Sequence, residues 1–212
     1  MGTMVSLEKL AMIQPTPTFP TLRSIRNLLG VATVFGVLVL PALAVTTKSL
    51  LPEFGTKGRE IQPKAKQGYD IRGWLPKDWV DNSSWAPVSA TYSQLTDAPA
   101  EGVGAVRIEV TKLDGFHLQL TTKSGAMDYK AGTTYVVTGW MRSPQQTGFF
   151  VGFRADAEPR DFHAGKDFAP GTDWEKFSFE WTPENNSSAW LMFTVHNVGV
   201  VDLAGIALTE KQ

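Results

Sequence analysis

The 212-residue chain contains no cysteine. That excludes disulfides, thiolate nucleophiles and cysteine-ligated metal. Histidine is almost as scarce: His117, His163 and His196 lie far apart in sequence, and none falls in an HExxH pattern. The glycine-rich GxGxxG and GxxxxGK signatures and the GxSxG nucleophile turn are missing as well. No sign of charge dominates. The net charge is −1 and the basic residues are scattered, which excludes an extended nucleic-acid footprint. After residue 45 no stretch repeats with helical period.

What is present begins with one long apolar run. Arg23 and Arg26 precede Leu28–Leu40, Pro41 interrupts the run, and Ala42-Leu43-Ala44 supplies small residues. A basic stretch, an apolar stretch and a small-residue site, in that order, predict an export signal cut after Ala44, leaving Val45 first. The uncharged run from Asn27 to Thr47 also has the length of a bilayer span, so an uncleaved membrane anchor is the alternative. Residues 45–68 are polar and rich in Pro, Gly and Lys, and read as a flexible linker. Residues 69–212 form the folded domain. Three basic residues and one acidic residue lie in positions 1–44, so the remainder is mildly acidic at −3. Export without cysteine fits a secreted or cell-envelope protein of bacteria.

From Tyr69 onward, apolar residues alternate with polar ones. Val106, Ile108 and Val110 share one face of their segment, as do Phe116, Leu118 and Leu120. So do Phe177, Phe179 and Trp181, and so do Leu191, Phe193 and Val195. Period two over short segments is the pattern of half-buried strands. Asp114-Gly115, Ala131-Gly132, Ser143-Pro144 and Pro170-Gly171 supply turns between them. The prediction is an all-β, antiparallel two-sheet β-sandwich of jelly-roll type, preceded by an N-terminal hydrophobic signal or anchor helix. Trp79 and Trp174 are expected to plug the core, while Trp74 and Trp85 fit a core or a rim equally.

The segment Tyr135–Arg142 assigns Tyr135, Val137 and Met141 to the core and turns Trp140 and Arg142 outward. The next strand turns Phe149, Val151 and Phe153 inward, with Phe150 and Arg154 outward. Trp190 and His196 lie opposite the buried set of their strand, and Gln119 opposite Leu118 and Leu120. If these strands are neighbours, Trp140, Arg142, Phe150, Arg154, Trp190, His196 and Gln119 form one aromatic and polar face, joined by His117 and Glu180. A contiguous exposed aromatic surface marks an interaction site. A pyranose ring suits it, because its apolar C–H face stacks on aromatic rings while its hydroxyls pair with Arg and Gln.

Four stretches resemble a known group. "YDIRGWLPKDW", "MDYKAGTTYVVTGWMRS", "GTDWEKFSFEWTPENNSSAWLMFTV" and "VVDLAGIALTE" are similar, in order and spacing across residues 69–210, to strands of the jelly-roll carbohydrate-binding modules of the family 4, 9 and 22 group, which have a galactose-binding-like β-sandwich. The resemblance implies non-catalytic binding of a neutral polysaccharide such as β-glucan or xylan. It also implies a structural calcium at Asp70 and Asp202. The same two residues equally fit a turn cap and a strand end. Two other classes stay open. A structural or protein-binding sandwich needs no sugar site. A glycan-degrading enzyme would use Asp156, Glu158 and Asp161 as its carboxylates, but three acids on one surface loop do not specify the separation that chemistry needs.

Overall fold

The structure, a computed structural model, describes residues 48–211. The export or anchor segment therefore lies outside the described residues. Among these, no helix occurs. The strands in chain order are β1 Gly58–Ile61, β2 Ile71–Pro76, β3 Trp79–Asp81, β4 Val88–Leu95, β5 Ala105–Leu113, β6 Leu118–Thr122, β7 Met127–Tyr129, β8 Tyr135–Arg142, β9 Phe149–Ala155, β10 Phe162–Phe168, β11 Glu175–Trp181, β12 Ser187–Val195 and β13 Gly199–Glu210. A seven-stranded sheet has the order β1-β2-β4-β5-β13-β8-β11. A six-stranded sheet has the order β10-β9-β12-β6-β3, with β7 on β12.

The sequence alternation sets which side of each sheet is dry. Ile108, Val137, Leu203 and Phe177 point inward from the seven-stranded sheet, and Phe153, Leu191, Phe193 and Leu120 from the six-stranded one. The two sets meet edge to face: Phe149 on β9 contacts Phe177 on β11 with ring centres 5.7 Å apart. Trp79 is fully buried between Phe54 and Phe193, as expected of a core residue.

Four expectations change. The stretch read as a flexible linker is docked from residue 48 to 61. Leu51 and Phe54 enter the core, Leu50 N donates to Leu208 O, and β1 pairs with β2. Two apolar side chains in a sea of polar ones were enough to anchor it, a signal that composition averages away. Phe116 lies in the turn before β6 and is exposed, because the alternation starts only at Leu118. Trp174 sits outside the seven-stranded sheet rather than in the core. Finally, β2 pairs with β4 in parallel, because β3 crosses to the other sheet between them. Gly73, at φ +110°, lets β2 approach the Tyr92 carbonyl at this junction.

One polar tie crosses the interior. Asp81, at the end of β3, accepts from the Tyr92 hydroxyl on β4 and from Ser83 N at 2.7 Å. Burial raises the Asp81 pKa above the ordinary carboxylate value.

Candidate functional site

The outer face of the six-stranded sheet gathers five of the seven expected site residues. Register fixes this: Phe150 pairs with Thr194, Arg154 with Trp190, and Thr194 with Gln119. Paired residues project to the same side of a sheet. Phe150 lies across Gly152 and Gly165, where any Cβ would run into its ring. Phe162 meets Phe150 edge-on at 4.9 Å. Trp190 stands at the other end of the face, its Nε1 donating to Asp156 Oδ1 at 2.7 Å. Met192, Thr194 and Thr121 form the floor between them.

A hydrogen-bond chain runs along one side. Asn82 Nδ2 donates to Gln119 Oε1 at 2.9 Å, and Gln119 Nε2 donates to His117 Nε2 at 2.7 Å. His117 faces His196 with ring centres 5.0 Å apart. Burial, with His196 and Arg154 adding to it, lowers the His117 pKa, which keeps the ring neutral and able to accept. His196 shares a hydrogen bond with Thr194 Oγ1 at 2.8 Å. Beside Trp190 lies a hollow of about 190 Å³ lined by Asn82, Arg154, Asp156, Arg160, Trp190 and Met192. Beyond the histidines, exposed Trp85 and Phe116 meet edge-on at 5.6 Å.

Trp140 and Arg142 are elsewhere, and the expected single face is thereby corrected. They lie on β8 in the seven-stranded sheet, on the opposite outer surface. Alternation tells inside from outside but not which sheet a strand joins. There Asp202 on β13, fully buried, accepts from Arg107 Nε at 2.8 Å and from Arg142 Nε at 2.8 Å. Arg142 Nη1 also bonds Asp97 Oδ2 at 2.6 Å. Trp174 covers the Arg142 guanidinium at 4.5 Å and anchors its indole N–H on Asp97 O. Lys176 sits over Trp140 at 4.9 Å. Glu180, on edge strand β11, pairs with Lys211 and is also remote from the six-stranded face.

The calcium ligands suggested by the resemblance do not fit such an ion. Asp70 precedes β2 and Asp202 lies on β13, with β4 and β5 between. Three strand spacings separate them by roughly 14 Å, measured across the strands alone, far beyond calcium–oxygen bonds of about 2.3–2.6 Å. Asp70 pairs with Arg72 at 3.0 Å, and both Asp202 oxygens are taken by guanidinium groups, Oδ1 by Arg107 and Oδ2 by Arg107 and Arg142.

Asn82, Met192 and Arg160 were not among the expected site residues, and Asp156 was named only as a carboxylate of the alternative enzyme. Met192 follows from the same alternation as Trp190, but Asn82 and the two loop residues arrive by long-range folding that carries no local signal. The stretch from Arg154 to Phe168 is a β9–β10 hairpin rather than a loop, and in its turn Asp156 holds Trp190 while Glu158 pairs with Arg160 at 3.0 Å.

No protein-family model matches the chain, and no curated protein matches it. Among solved structures, the fold is similar to that of a family 4 carbohydrate-binding module (CBM4), with a TM-score of 0.50 and 13% identity over 63% of this chain and 86% of that one. The enzymatically active domain of bacteriophage CBA120 tailspike protein 4 gives a TM-score of 0.49 and 14% identity, over 63% of this chain and 19% of that one. The family 11 carbohydrate-binding module of the cellulase Lic26A-Cel5E of Clostridium thermocellum gives 0.43 and 9%, over 72% and 95%. The chain has the fold of a carbohydrate-binding module.

Proposed function

We propose that this chain is an exported, non-catalytic carbohydrate-binding protein whose site is the outer face of the six-stranded sheet. The observation that carries the reading is the juxtaposition, around one hollow, of the aromatic surface of Trp190 with polar groups from Asn82, Arg154 and Arg160. A sugar ring needs both at once, a flat apolar surface for its C–H face and directional partners for its hydroxyls. The shared fold with a CBM4 module supports the same reading. The pairing of Glu158 with Arg160 and of Asp156 with Trp190 favours binding over hydrolysis, since both acids are already engaged by neighbouring side chains. Export rests on the order of Arg23, Arg26, the apolar run and Ala42-Leu43-Ala44.

The test is retention of the full chain on beads carrying a panel of plant and bacterial polysaccharides. At least one polymer should retain it, and Trp190→Ala should weaken retention at least tenfold while Trp140→Ala leaves it intact. Retention by none of the panel would favour the protein-binding sandwich. Release of soluble fragments from any polymer would favour the enzyme.

A further inference from the structure

Six arginines lie among the described residues, and five have their guanidinium groups accounted for. Arg72, Arg107, Arg142 and Arg160 each pair with a carboxylate. Arg59 donates to the carbonyls of Pro76, Lys77 and Trp79. Arg154 differs. It is half-buried on the outer face of β9, and its Nε donates to Arg160 O at 2.9 Å. Among the described residues, no carboxylate comes within ion-pair distance of it and neither Nη has an acceptor. A guanidinium taken partly out of water without a counter-ion is costly, and its planar fork matches a carboxylate with two parallel hydrogen bonds.

The surroundings favour an anion. The hollow is lined by two cations, Arg154 and Arg160, against one anion, Asp156. Asp156 is held aside by the Trp190 indole N–H, and Arg160 is already paired with Glu158. His117 and His196 stand beyond, and the Arg154 charge reaches His117. Trp190 borders the same hollow.

We infer that this hollow takes a uronosyl residue of an acidic polysaccharide, its carboxylate on the Nη atoms of Arg154 and its ring against Trp190. The inference rests on the carbohydrate-binding reading and narrows it to a substrate class. It departs from the neutral chain that the resemblance implies, and the near-zero net charge does not stand against it. Net charge sums over the whole surface, whereas a ligand meets the local charge at one hollow.

The experiment measures retention of the full chain on immobilised polygalacturonate, alginate and a glucuronic-acid polymer. The controls are the same polymers after reduction of their carboxyl groups to alcohols, a neutral xylan, a neutral β-glucan and dextran sulfate. One polyuronate should be retained, with at least a tenfold loss on carboxyl reduction and a similar loss in Arg154→Met. Arg154→Lys, which keeps the charge but not the fork, should fall between. A neutral glycan bound as tightly as any polyuronate, with Arg154→Met silent, would overturn the inference and leave the carbohydrate reading standing. Polyuronate binding undiminished in Arg154→Met, or dextran sulfate bound equally well, would overturn it too. Retention by no glycan of either set would overturn both.

Discussion

The two outer faces of the sandwich carry the same residue types and use them differently. On the seven-stranded sheet, Trp174 and Arg142 form a closed cluster: Asp202 and Asp97 neutralise the guanidinium and the indole covers it. On the six-stranded sheet, Trp190 and Arg154 flank a hollow, and the indole N–H goes to Asp156 while the Arg154 fork is left open. A tryptophan next to an arginine is therefore no site in itself. What separates the two faces is whether a strand far away in sequence delivers a carboxylate. Asp202 comes from β13, sixty residues after Arg142.

The sharpest way to break this contrast is to remove the shared counter-ion. Asp202→Ala leaves Arg107 with no carboxylate partner and Arg142 with Asp97 alone. Breaking a buried ion pair costs several kcal/mol, and because side chains of both arginines retain some exposure, 34% and 16%, about 2–4 kcal/mol is expected. Urea denaturation measures it. Arg154→Met should change the denaturation midpoint little, since Arg154 has no carboxylate partner to abandon among the described residues. A melt equally damaged by both variants would erase the distinction.

A second variant tests the β8 register beneath the closed face. Met141 is buried and Trp140 points outward, so Met141→Ala should cost about 2–4 kcal/mol. Trp140→Ala should cost less, and a reversed order would place the strand one residue out of register.

Much of this was legible beforehand. The inward sets on β5, β8, β9, β11 and β12 follow from alternation alone, because period two admits only two faces. Phe150, Arg154, Trp190, His196 and Gln119 were correctly turned outward for that reason. Sheet membership was not legible. Trp140 and Phe150 lie ten residues apart on consecutive strands, yet the loop at 143–148 carries the chain from one sheet to the other. Nothing in a six-residue turn distinguishes a hairpin from a crossover. Asp202 looked like a metal ligand for a similar reason: its partners, Arg107 and Arg142, are visible only once β13 is set between β5 and β8.

Smaller effects concern the titratable groups. Asp81 ties the two sheets, and burial raises its pKa, so folding favours its protonated form. Its contribution is greatest below the unfolded carboxylate value and declines as pH rises through the raised one. Asp81→Asn should therefore flatten the pH dependence of stability above about pH 4, the ordinary carboxylate range. An unchanged slope would assign that dependence elsewhere. His117 works in the opposite sense. Its lowered pKa favours the neutral ring, so its contribution is present above about pH 6.5 and fades as pH falls through the lowered value. His117→Gln should remove this small acid-side loss from the six-stranded face, read as the difference between melts at pH 7 and pH 5.

The seven tryptophans provide the most direct measurement. Each indole N–H gives its own proton–nitrogen NMR signal, and Trp190, Trp140 and Trp174 report on the two outer faces separately. Titration with a glycan retained on beads should shift the Trp190 signal, whose N–H borders the hollow through Asp156, and leave Trp140 and Trp174 in place. Shifts at Trp140 and Trp174 with Trp190 unmoved would put the ligand on the seven-stranded sheet and contradict the assignment.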